Sequence, residues 1–120
     1  MPAIDFQVHD GLLVVQQTSE GKRLRLALNG ELDLANAETA KATLREALAS
    51  GKDVVVDLAD LEFLDSTGVA MLVAAMREVD GKRLSFLPSE HEAVRRLLKL
   101  TGLDEWMGLA PVEDPETLAA

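Results

Sequence analysis

Residues 57–76, DLADLEFLDSTGVAMLVAAM, hold the turning point of the chain. The stretch opens on the end of an apolar run, Val54-Val55-Val56-Asp57-Leu58. That run is short and β-branched enough to be a strand buried on both faces. It closes on a helical pattern, with Val69, Leu72, Val73 and Met76 on one side at spacings of three and four. Between them stands Leu64-Asp65-Ser66-Thr67-Gly68, where a carboxylate and two hydroxyls meet the first turn of a helix. Asp, Ser and Thr just ahead of an apolar-periodic run are N-cap residues, whose oxygens accept from unpaired N–H groups. On spacing alone such a run is first of all a cap. Gly68 offers no side chain, so another backbone or a partner can come close. A helix start also favours anions, and a hydroxyl on such a loop can be presented to a partner.

Working outward, Leu12–Gln17 and Leu24–Asn29 read as strands. The link Thr18-Ser19-Glu20-Gly21-Lys22 has turn chemistry, which predicts an antiparallel hairpin. Leu24, Leu26 and Leu28 alternate with Arg25, Ala27 and Asn29, as in a half-covered strand. Ile4, Phe6 and Val8 alternate as well, so residues 1–10 have room for one further short strand. Gly30-Glu31-Leu32-Asp33 breaks the pattern. Asp33 or Asn36 can then cap a helix with Ala37, Ala40, Leu44, Ala47 and Leu48 on one face, stopping at Gly51.

The buried strand 53–58 leads through a loop to a helix of about 66–79, closed by Gly81. Leu84–Leu87 is a last short strand. Ser89 with Glu92 three residues later forms a capping box, and Val94, Leu97 and Leu98 give the next helix its buried stripe. Thr101-Gly102 ends it. Phe63, Met71 and Met76 fall at core spacings. Trp106 is expected to lay its ring over the end of the last helix. The tail, residues 111–120, is acidic, carries two prolines and is expected to fray.

A hairpin followed by helix, strand, helix, strand, helix is an α/β order. Strands separated by helices need crossover connections and run parallel. The expected fold is a small mixed sheet, with an antiparallel opening hairpin and then parallel strands, flanked by about four helices. At 120 residues the chain suits one domain. Its working edge lies at the carboxyl ends of the strands. Asp33 and Asp65-Ser66 each follow a strand and precede a helix, so they are expected to converge there.

Composition narrows the chemistry. The formal charge of −9 and the absence of tyrosine argue against nucleic acid and anionic membrane as partners. There are no cysteines, and His9 and His91 are far apart with no second ligand at helical spacing, so no metal site is expected. The sequence lacks both a G-x-S-x-G elbow around Ser66 and a G-x-x-x-x-G-K-[ST] phosphate loop, so neither a hydrolase triad nor a bound nucleotide cofactor is supported. Asp57 ends an apolar strand as a phospho-accepting aspartate would. The acidic pair and lysine such a receiver needs are missing from matching places, so Asp57 reads as structural. No run of eighteen apolar residues occurs, and the opening MPAIDFQVHD is unlike a signal peptide. A cytoplasmic protein is expected, and a compact single domain leans towards a monomer.

Four motifs together carry a resemblance: Gly30-Glu31-Leu32-Asp33 ahead of a helix, the apolar strand ending Asp57-Leu58, Phe63-Leu64-Asp65-Ser66-Thr67-Gly68-Val69, and Thr101-Gly102-Leu103. Over about residues 12–108 the chain resembles the STAS family, in particular the bacterial anti-sigma factor antagonists. It departs mildly at Val69, where the family usually has leucine, and at Ala70, where glycine is common.

The resemblance implies a regulatory switch and no catalytic residues. In such antagonists the serine after the loop aspartate is phosphorylated by the anti-sigma factor, a serine kinase that holds ATP. The bare form binds that kinase and frees the sigma factor, and a metal-dependent serine phosphatase restores it. The matching position is Ser66, with Thr67 the runner-up acceptor. Asp33 and Asp65 match positions of the partner-binding surface, which also takes in Thr67 and Gly68. The resemblance leaves open a second role, as an accessory subunit of a stress-sensing or lipid-transport complex.

Overall fold

The computed structural model describes residues 3–79 and 83–109. Strands β1 (Ile4–Asp10), β2 (Leu13–Glu20) and β3 (Arg23–Leu32) run as an antiparallel meander. Helix α1 (Ala37–Ala49) crosses to β4 (Asp53–Asp57), followed by β5 (Leu61–Leu64), α2 (Ser66–Glu78), β6 (Leu84–Leu87), α3 (Glu92–Leu100) and the single turn α4 (Leu103–Trp106). The strands form one mixed sheet of six in the order β1-β2-β3-β4-β6, with β5 also on β3. The α/β class and the antiparallel-then-parallel sheet therefore stand as the sequence predicts.

The sharing of β3 decides where the site lies. Its first half, Arg23–Ala27, pairs parallel with β4, and its end, Gly30–Leu32, pairs parallel with β5. The hand-over falls at Gly30, whose φ of 104° belongs to glycine. A Cβ there would meet the Leu12 carbonyl oxygen at 2.1 Å. The sequence break at Gly30-Glu31-Leu32-Asp33 is thus a change of partner strand, and β3 continues through it to Leu32.

Alternation gives the sheet one apolar face. Leu13, Val15, Leu24, Leu26, Leu28, Val54, Val56, Leu84 and Phe86 join Ala40, Leu44, Met71, Leu72, Val94 and Leu98 from the helices in one core. The opposite face of β2, β3 and β4 carries Gln16, Thr18, Glu20, Arg25, Asn29 and Asp57, which line an open polar depression of about 240 Å³. Asp57 is buried there, paired with the Arg25 guanidinium and accepting from the Ala59 amide at 2.9 Å. It is structural, as the sequence indicates.

Several expectations shift. The hairpin turn is the two residues Gly21-Lys22, because β2 runs on three residues past Gln17 to Glu20 and β3 starts one residue early at Arg23. Residues 61–64, read as loop, form β5, a strand so short that only Leu61 and Leu64 are buried. Phe63 is consequently 47% exposed, outside the core. The buried stripe of α2 is Gly68, Met71, Leu72 and Ala75, one residue off the predicted face, with Val69, Val73 and Met76 at its flank. The capping box at Ser89 is absent. Helix α3 starts at Glu92 after His91, and the buried Ser89 hydroxyl donates to the Leu61 carbonyl while accepting from the His91 amide. Gly102, with φ of 75°, does end α3, but α4 follows at once and leaves Trp106 half exposed. Gly81 and the tail 111–120 lie outside the described residues.

Candidate functional site

Two loops meet at the carboxyl end of β3 and β5. One is Leu64-Asp65-Ser66, entering α2; the other is Asp33-Leu34-Ala35-Asn36, entering α1. Asp65 is the N-cap of α2: its Oδ1 accepts from the Gly68 amide at 2.9 Å. Its second oxygen, Oδ2, accepts from the Leu34 amide at 3.1 Å, and its own amide donates to the Leu32 carbonyl at 3.2 Å. One carboxylate therefore caps a helix and clamps the neighbouring loop. The cap reading of this aspartate holds.

Ser66 is the first residue of α2 and is exposed, while Thr67 is half-buried. The helix start beneath Ser66 presents amides and the positive end of the dipole. Gly68 is buried, and a Cβ there would lie 2.7 Å from Leu64 Cδ1 and 3.0 Å from the Leu32 carbonyl oxygen. The close approach it permits is to β3 and β5 of its own chain. Its contribution to the site is to seat α2 and give its amide to Asp65.

Asp33 sits half-buried and accepts from the Ala35 amide at 3.0 Å through Oδ1, so its carboxylate is turned onto its own loop. Asp33 and Asp65 come together through Leu34, which lies between the two carboxylates' acceptor contacts. Neither Asp33 nor Asn36 caps α1 with its side chain: Asn36 holds the N-cap position but makes no such bond. The fully buried Asn36 amide instead donates to the Glu31 carbonyl at 2.9 Å and the Asp10 carbonyl at 3.4 Å, and accepts from the Asp33 amide at 3.0 Å. It ties the end of β1, the end of β3 and the loop into one unit. The sequence marked Asn36 only as a possible cap; a polar side chain ahead of Ala37 and Ala40 on the buried face was the signal for its inward role.

Leu34 is the residue that sequence reasoning passed over. It is 76% exposed, beside Asp65, in a loop that has little else apolar on the surface. Its spacing of three from Ala37 would suit the buried face of α1, and it stands outside because the helix begins only at Ala37. Among the described residues no group of three or more acidic or histidine side chains is placed to hold a metal ion. Among them, too, no helix is long and apolar enough to cross a membrane.

With this geometry in hand, the comparisons decide the family. Residues 15–111 match the family model described as "Mlab, STAS domain". The chain belongs to the STAS domain family. It is 31% identical to an anti-sigma F factor antagonist of Lysinibacillus sphaericus over 87 residues, 68% of this chain and 73% of that protein. An anti-sigma-B factor antagonist of Staphylococcus aureus is 24% identical over 97 residues, covering 79% of this chain and 90% of the relative. Among solved structures, an anti-sigma factor antagonist from Mycobacterium paratuberculosis superposes with a TM-score of 0.74 at 24% identity, over 99% of this chain and 97% of that one. The antagonist SpoIIAA in its unphosphorylated form gives 0.66 at 24% identity, over 87% and 92%. These structural likenesses establish the fold, and the relatives place the STAS chain near the anti-sigma factor antagonists.

Proposed function

We infer that this STAS domain is an anti-sigma factor antagonist switched at Ser66. In its bare form it binds an anti-sigma factor that is a serine kinase and so frees a sigma factor; phosphorylation of Ser66 ends the binding, and a serine phosphatase restores it. The observation that carries this reading is the exposed Ser66 hydroxyl at the first position of α2, directly after the clamped Asp65. An acceptor must be reachable and must be held still. Thr67, half-buried, meets the first requirement less well.

In the reaction the Ser66 oxygen attacks the terminal phosphorus of ATP, the P–O bond to ADP breaks, and the serine proton passes to a base on the kinase. The product carries about −1.5 to −2 charges at pH 7. A helix start accommodates an anion, so the fold is expected to persist. The phosphoserine then faces the nucleotide phosphates the kinase still holds. At an effective dielectric near 20, one added charge about 5 Å from a like charge costs about 3 kcal/mol, or a factor of more than about one hundred in affinity. That is ample for release.

The test is to mix the purified protein with an anti-sigma factor serine kinase of the same genome and ATP, then map phosphate by mass spectrometry. Phosphate on Ser66 is expected. Phosphate on Thr67 alone, or on neither, overturns the assignment. A second reading is a STAS accessory or structural subunit of a stress-sensing or lipid-transport complex. It predicts a stable complex with no phosphate on the chain.

A further inference from the structure

Among the described residues eight large apolar side chains lie on the surface, and three of them belong to the segments that meet around the Ser66 loop: Leu12, 65% exposed, Leu34, 76%, and Phe63, 47%. Their placement follows from backbone links. The Leu12 carbonyl accepts from the Glu31 amide at 2.9 Å, Glu31 pairs with Phe63 across β3 and β5, and the Leu34 amide is held by Asp65. The same segments carry Glu31, Asp33, Glu62 and Asp65, and there is no lysine or arginine at positions 26–40 or 53–76. The end of the molecule that presents Ser66 thus sets apolar side chains among carboxylates that have no lysine or arginine in their own segments.

Resting on the reading that a kinase recognises Ser66, we propose that Leu34 and Phe63 are the anchors of that interface, Leu12 lying at its margin. The partner is a protein with an apolar slot for these two side chains, ringed by lysine or arginine. Exposed apolar groups held on rigid backbone lose little freedom on docking and concentrate binding energy. The surrounding carboxylates steer the encounter and set its salt dependence. The arrangement also explains how phosphate on Ser66 can repel a partner with a basic rim. Seating the two anchors drives water from the loop beside them, and a phosphate stripped of that water is far more costly than a bare hydroxyl.

The experiment measures binding of wild type, Leu34→Ser, Phe63→Ser and, as a control, Leu100→Ser, to the purified ADP-loaded serine-kinase anti-sigma factor of the same genome. Leu100 is 79% exposed at the end of α3, outside the segments that carry Ser66, Leu34 and Phe63. Each anchor variant is expected to weaken affinity tenfold or more through faster dissociation, with the salt dependence of association and the thermal midpoint unchanged. In phosphorylation assays KM should rise while the maximal rate holds. The control should bind as wild type does. If both anchor variants bind as tightly as a wild type that binds and is phosphorylated on Ser66, the anchors are refuted and the switch stands. An equal loss in Leu100→Ser also refutes them. If wild type itself neither binds nor accepts phosphate, the switch reading falls and takes this inference with it.

Discussion

The two strand-to-helix junctions at the working edge look alike in sequence and are put to opposite use. At β3–α1, Leu32-Asp33-Leu34-Ala35-Asn36, the polar side chains turn inward: Asp33 onto the Ala35 amide, Asn36 onto Glu31, Asp10 and Asp33. At β5–α2, Leu64-Asp65-Ser66-Thr67-Gly68, one carboxylate takes over the capping and clamping, which leaves the next side chain outside. The lesson is a division of labour. Because Asp65 already accepts from the Gly68 amide of the first turn, the Ser66 hydroxyl is not needed as a cap and is left to solvent. The inward junction supplies the rigidity and the outward one the reactive group.

The contrast is broken most completely at Ser66. Ser66→Asp is expected to keep its circular dichroism and thermal midpoint, since a carboxylate suits the first helical turn. It should lose kinase binding by a factor of about one hundred, the cost of one like charge at close range. Tight binding by this variant at matched salt would rule out gating by charge. Asn36→Ala does the reverse. It strands the Asp33 amide and the Glu31 and Asp10 carbonyls, and should cost about 2–3 kcal/mol in urea unfolding, with any loss of binding following from the loosened loop.

Asp65→Asn separates the two jobs of one side chain. Asparagine caps as well as aspartate, but one side of its amide is a donor and cannot accept from the Leu34 amide. A loss of about 1 kcal/mol is expected, with faster hydrogen exchange at Leu34 and unchanged exchange at Gly68. The smallest effect lies far from both junctions, where Arg45 of α1 holds Glu78 of α2 through two contacts of 3.2 and 2.6 Å. The Arg45 hydrogen bond keeps the Glu78 carboxyl below its ordinary value of 4.5. The pair therefore adds stability above about pH 4.5 and loses it as pH falls through the lowered value. Glu78→Gln should flatten that acid limb slightly and leave neutral-pH binding untouched, because the pair is exposed and screened.

Much of this was legible in the chain. Period-two leucines in β3, the Val54-Val55-Val56 run and the Asp65-Ser66-Thr67-Gly68 cap state their structures in local chemistry. What local pattern misplaced depends on distant residues. Phe63 looked like core because nothing nearby says that β5 takes only two residues inward. Ser89 looked like a cap because its acceptor, the Leu61 carbonyl, lies 28 residues away. Asn36 is the clearest case: it reads as a helix start, and only the folded backbone brings Asp10 and Glu31 within its reach.

The family match begins at residue 15, yet Asp10 receives Asn36 through its carbonyl and Thr39 through its carboxylate. The leading strand is therefore a strut under the acceptor loop, ahead of the span that the family model matches. Removing residues 1–10 would unbolt that strut and bare the flank of β2. Substitutions near the front of the chain thus have a mechanical route to Leu34 and Asp65 without touching either.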